Sequence, residues 1–157
     1  MAHPSNNPLD IPHYPQADDG YCLPACVQMV LAYLGLSSTQ SRLARKLDVR
    51  PPMGAPASNV TRLRSNTLDA RFTSGDLDDL QVCLNQGNPP IVFVQAGEFP
   101  HWRGCVSQHA VVVVGADKQS VYILDPAADA DPIPVPTGDF LLAWSELGYI
   151  YAVLARS

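Results

Sequence analysis

Cys22 lies six residues after Gln16, in QADDGYCLPACVQMVLAYLG, and stands where an apolar helical pattern begins. A cysteine attacks a carbonyl as its thiolate. The first turn of a helix lowers a thiol pKa because unpaired backbone N–H groups point at the sulfur. A side-chain amide close to such a nucleophile can join the cysteine's own N–H in stabilising a developing oxyanion, and Gln16, brought back by the turn ADDGY, is the candidate. Far downstream, HAVVVVGADKQSVYILDPA supplies His109 at the head of one strand-like run and Asp125 at the tail of the next. Cysteine, histidine and aspartate are the parts of a nucleophile, its base and the group that orients the base.

The elements that must position these residues follow from periodicity. Val27, Val30, Leu31 and Leu34 recur at helical spacing from Leu23, with Pro24 in the first turn and Gly35 at the end, which predicts a helix carrying Cys22 at its start. Cys26, one turn further in, is expected to be a small buried hydrophobe. Residues 37–48 predict a second, more charged helix, SNVTRLRSNTL (58–68) a short third and GDLDDLQVCLNQG (75–87) a fourth with Cys83 in the core. From Pro90 the pattern changes to β-branched runs, PIVFVQ, HAVVVVGA, SVYIL and GYIYAVLA, interrupted by a helix over 139–148. The class is therefore α+β, helical first and sheet-rich second. Residues 1–15, with four prolines, read as an extended arm leading to Gln16.

Register decides whether His109 and Asp125 can meet. If Ala116 pairs with Ser120 across residues 117–119, Val111 faces Asp125, and His109 and Asp125 become diagonal neighbours on one face, about 7–8 Å apart at the backbone. A two-residue turn would shift the register by one and put them on opposite faces. Asp125 has an alternative reading as the start of an Asp-Pro turn. His101, in EFPHWRGC, competes for the base but has no following strand to fix it; it and Trp102 are candidates for a groove wall or simple packing.

Composition bounds the rest. The 157 residues suit one domain, 46% hydrophobic and 16% charged, with a net charge of −5 and ten scattered Lys and Arg that offer no nucleic-acid surface. The N-terminus lacks a secretory signal pattern and no apolar run approaches a membrane span, so a cytoplasmic protein is expected, with delivery into another cell left open. Four cysteines (Cys22, Cys26, Cys83, Cys105) without an export signal are expected as thiols. Cys22 and Cys26 lack the further ligands a structural zinc needs, so no metal or other cofactor is expected.

These motifs resemble the papain-like bacteriocin-processing peptidase family, known mainly as N-terminal domains of peptide-exporting transporters that remove double-glycine leaders, together with its stand-alone relatives. The Gln16–Cys22 spacing, CLPA with VQMVLAYLG, NQGNPPIVFV, HAVVVVG and YILDPA carry the resemblance from about Ile11 to the C-terminus. It implies a papain-like fold, Cys22 as nucleophile, His109 as base and acid, Asp125 as orienter and Gln16 as oxyanion donor. Leu23 departs from the pattern, which has glycine after the cysteine. The expected activity is that of a cysteine peptidase on a peptide or protein. An acyltransferase with the same triad and a non-catalytic peptide-binding module are the alternatives.

Overall fold

Residues in two runs of the second half alternate in the surface they bury. In IVFVQ, Ile91 and Phe93 join one apolar cluster while Val92 and Val94 join another; in HAVVVVGA, Ala110, Val112 and Val114 oppose Val111 and Val113 in the same way. Such continuous apolar runs mark strands covered on both faces. The computed structural model of the protein describes residues 8–104, 107–128 and 130–157; Cys105 and residues 1–7 of the expected arm lie outside the described residues.

The elements in order are α1 (Cys22–Tyr33), α2 (Gln40–Lys46), β1 (Leu68–Ser74), α3 (Leu77–Asn85), β2 (Ile91–Gln95), β3 (Gln108–Ala116), β4 (Ser120–Leu124), β5 (Ile133–Pro136), α4 (Thr137–Ser145) and β6 (Ile150–Arg156). The strands form one six-stranded antiparallel sheet in the order β1-β6-β2-β3-β4-β5. Residues of α1 and α2 share the apolar cluster on one face; residues of α3 and α4 share the cluster on the other, where Phe140 and Trp144 are fully buried. The expected α+β architecture, with the nucleophile helix packed on an antiparallel sheet, is the one observed.

Three local expectations are corrected. The helix expected over 58–68 is a 3₁₀ stretch, Ala57–Leu63, in which Val60 and Leu63 are buried. A spacing of three puts both on one side of a three-residue turn, and no further apolar residue extends the stripe into an α-helix. The chain then enters β1, which alternates Leu68, Ala70 and Phe72 with Asp69, Arg71 and Thr73 at the sheet edge, so strands are not confined to the second half. The opposite edge strand, IPVP, was hidden by its prolines, which only an edge strand accommodates.

The third correction bears on the site. Ala116 pairs with Val121, not Ser120, and the Asp117 N–H donates to the Ser120 C=O at 2.9 Å, so the loop between β3 and β4 has the short form that should have separated His109 from Asp125. A β-bulge between Val113 and Gly115 shifts the register back, and Val112 then faces Leu124, the pairing expected at the functional end of the hairpin. A bulge leaves its extra residue without a ladder partner. Here the Leu9 N–H donates to the Val114 C=O at 2.7 Å, and Gly115 lets the arm approach, since a Cβ there would lie 3.1 Å from Pro8 Cα. The N-terminal arm thus completes the kink on which the histidine–aspartate register depends.

Candidate active site

Cys22 is the first residue of α1, and the preceding Tyr21 caps the helix with no side-chain hydrogen bond. No capping side chain therefore competes for the first-turn N–H groups, of which that of Leu23 bonds the thiol. Burial raises the Cys22 pKa, but hydrogen bonding and charge from His109, together with the backbone N–H groups of Ala110 and Leu23, bring it below the ordinary thiol value. The other described cysteines move in the opposite direction. Cys26 is fully buried, donates its S–H to the Ala110 C=O at 3.3 Å, and burial pushes its pKa well up; burial also raises that of Cys83.

His109 heads β3 with its side chain 10% exposed, and its Nε2–H donates to Asp125 Oδ1 at 2.7 Å. Nε2 is occupied, so Nδ1 is the ring nitrogen left for the thiol. Burial would lower the imidazole pKa, yet the Asp125 carboxylate and the Cys22 sulfur outweigh it and push it up to about 9. Asp125 is 0% exposed. Burial alone would raise its pKa, but His109, His101 and Trp102 hold its carboxyl far below the usual carboxylate range. The arrangement favours a thiolate and an imidazolium over two neutral groups.

Gln16, Cys22 and His109 line one cleft of about 800 Å³, with Trp102, Phe72 and Phe93 among its walls. The Gln16 side-chain Nε2 donates one hydrogen to the Asp18 C=O at 3.2 Å, and among the described residues its second hydrogen has no acceptor. Asp18 and Asp19 are exposed, as expected for loop acids. All four residues singled out by motif and spacing therefore converge on, or directly behind, one opening. Among the described residues no cluster of three or more His, Cys, Asp and Glu could hold a metal, and no helix is long and apolar enough to cross a membrane.

The model of the Peptidase_C39-like family matches residues 8–152. The chain belongs to the Peptidase_C39-like family. Among curated proteins none matches it significantly in sequence. Solved structures of similar fold include a putative C39-like peptidase from Bacillus anthracis, 18% identical over 94% of this chain and 96% of that one, with a TM-score of 0.73. A double glycine motif protease from an AMS/PCAT transporter, solved with its leader peptide, is 20% identical over 98% and 96% of the two chains, TM-score 0.73. The peptidase domain of Streptococcus ComA, a bifunctional ABC transporter involved in quorum sensing, is 22% identical over 93% and 98%, TM-score 0.73. At these identities the likeness carries the fold, which is the papain-like one expected of the C39 family.

Within this C39-like fold the surroundings of Asp125 hold what sequence reasoning missed. Four donors converge on its carboxylate. Oδ1 accepts from His109 and from the Ala127 N–H at 2.9 Å; Oδ2 accepts from His101 Nε2–H at 2.9 Å and Trp102 Nε1–H at 2.7 Å. His101 is thus a second histidine on the same carboxylate, stacked on Phe99, and Trp102 is both cleft wall and donor. His13, in the arm, donates Nε2–H to the Asp125 backbone C=O at 2.8 Å. The one available signal for these was a histidine and tryptophan side by side in a loop, and nothing local aims them at residue 125. Leu23, the departure from the family's glycine, is 3% exposed and belongs to the core cluster around α1 while also lining the cleft beside the thiol.

Proposed function

We propose that the protein is a cysteine peptidase that hydrolyses a peptide or protein through a thioester, with Cys22 as nucleophile. The observation that carries this reading is the lowered thiol of Cys22 beside an imidazole that is itself bonded, at 2.7 Å, to a buried carboxylate. The Cys22 thiolate attacks the scissile carbonyl carbon, and its oxygen takes the charge. Gln16 Nε2–H and the Cys22 backbone N–H donate to that oxyanion. The His109 imidazolium gives its proton to the leaving amine as the C–N bond breaks, then accepts one from the water that resolves the thioester. Asp125 holds the ring by Nε2 throughout, so that Nδ1 faces the sulfur.

The whole chain acts as one catalytic domain in this reading. One solved relative, a double glycine motif protease, binds a leader peptide, which makes Gly-Gly-containing peptides the first substrates to try. Incubation with a peptide panel that includes such sequences, read by mass spectrometry for new termini, should give products with the wild type and none with Cys22→Ala. Iodoacetamide at pH 6 should label Cys22 well ahead of the other cysteines. No cleavage, combined with equal and slow labelling of all four cysteines, would reject the reading.

A further inference from the structure

Among the described residues Gln16 makes one side-chain hydrogen bond, at 3.2 Å, and its buried Oε1 has no partner, so its own side chain does little to fix where its amide points. The backbone around it is held far more firmly. Gln40, the first residue of α2, donates Nε2–H to the Pro15 C=O at 2.7 Å and accepts the Ala17 N–H on Oε1 at 2.9 Å. Its amide thereby binds the carbonyl before Gln16 and the N–H after it, as a neighbouring strand would. The Gln40 amide is anchored in turn: Nε2 also donates to Gln28 Oε1 on α1 at 3.0 Å, and Gln28 Nε2 donates to the Ser38 C=O at 3.2 Å. From the opposite side the Gln16 N–H donates to the Pro126 C=O at 2.9 Å. The residue is therefore pinned between the glutamine pair and the turn that carries Asp125.

We propose that Gln40 is a positioning residue for catalysis, holding the Gln16 segment so that its side-chain amide faces the oxyanion formed at Cys22. The proposal rests on the peptidase reading. Without Gln40 the backbone on either side of Gln16 loses its two bonds to α2 and keeps the one from the Gln16 N–H to the Pro126 C=O, so that Gln16 is freer to drift away from the thiol. Misplacement of a catalytic group by about 1 Å can cost on the order of a hundredfold, so a partial loss of about tenfold is expected here.

Two small probes separate positioning from general damage. Acetyl transfer from p-nitrophenyl acetate to Cys22 breaks the ester C–O bond, passes through an oxyanion and releases p-nitrophenolate; alkylation by iodoacetamide displaces iodide and forms no oxyanion. Gln40→Ala should slow thioester formation about tenfold and leave alkylation within about twofold of wild type. Gln40→Glu keeps the acceptor for Ala17 but faces the Pro15 C=O with a second oxygen; it should show the same selective defect, and a carboxylate in the first turn of α2 favours that helix. Because Gln40 acts through Gln16, adding Gln40→Ala to Gln16→Ala should slow the acetyl transfer no further. Thioester formation at the wild-type rate in both Gln40 variants, a parallel fall in alkylation, or full multiplicative loss in the double variant would overturn the proposal. A wild type that forms no thioester and shows no preferential alkylation of Cys22 would instead reject the peptidase reading and the proposal together.

Discussion

Asp125→Asn tests the four-donor clamp more severely than its near-isosteric shape suggests. The carboxylate accepts on both oxygens, and an amide can accept on only one. If the amide oxygen faces His109 and the Ala127 N–H, the NH₂ group meets the indole N–H of Trp102, which stands 2.7 Å from the present Oδ2 and cannot change from donor to acceptor. His101 can adapt by switching tautomer; Trp102 cannot. If the amide is reversed, its NH₂ meets the Ala127 N–H instead. At a site that is 0% exposed no solvent relieves either clash. Loss of one partner of a buried ion pair costs about 3–5 kcal/mol, and kcat/KM should fall by a factor on the order of 10²–10⁴ as the imidazole loses its anchor. The decisive result is the sign of an interaction. Trp102→Phe alone removes a hydrogen bond to a charged group and should destabilise by about 1.5–3 kcal/mol. In the Asp125→Asn background the same change restores about 1–2 kcal/mol if the amide oxygen faces Ala127, because it removes an unsatisfied donor, and costs only about 0.5–1.5 kcal/mol if the amide is reversed, because it then removes a bond to a neutral acceptor. Urea denaturation of the four proteins measures this, provided the m-value is constant. A Trp102→Phe change that destabilises both backgrounds equally would refute the clamp.

The pH dependence follows from His109. With its pKa up at about 9, the imidazole keeps its proton at neutral pH, and kcat/KM should decline as pH rises through about 9, where the acid for the leaving amine is lost. The folded state also holds a proton that the unfolded chain releases near pH ~6.5. That contribution to stability is complete below the unfolded value and is lost as pH rises through the folded one. His109→Gln should accordingly flatten the loss of stability measured by urea denaturation between those limits; an unchanged slope would show that His109 is not the group responsible. Gly20 has φ +81°, and a Cβ there would lie 2.8 Å from Gly54 N and Pro52 O, so Gly20→Ala should displace the loop between Gln16 and Cys22. About a tenfold or greater loss of peptide turnover is expected, against little change in the far-ultraviolet circular dichroism of the fold. Gly115→Val crowds Pro8 at the bulge and should destabilise by about 1–3 kcal/mol while lowering turnover, since the same kink sets the His109–Asp125 register.

What could be read from the amino acids alone was whatever local backbone dictates. A thiol at a helix start, a glutamine six residues before it, and two apolar runs of which the first is headed by a histidine and the second ends in an aspartate required only periodicity and turn chemistry, and Cys22, Gln16, His109 and Asp125 followed as candidates. The position of the bulge was illegible because VVVVG offers no reason for Val114 rather than a neighbour to be the extra residue; that choice is made by the arm, through Leu9 and Pro8, more than a hundred residues away in sequence. The same holds at Asp125. His13, His101 and Trp102 come from parts of the chain remote from Asp125 to meet that one aspartate, and none announces its partner. Read locally, Asp125 offered two alternatives, the start of an Asp-Pro turn or the orienter of a histidine. The structure makes them one. The Ala127 N–H closes the turn onto Oδ1, the oxygen that also receives His109, and the turn's Pro126 carbonyl receives the Gln16 N–H. The structural turn thus aims the carboxylate at the imidazole and fixes the backbone of the glutamine, so a substitution that disturbs the turn should damage the base and the proposed oxyanion donor at once.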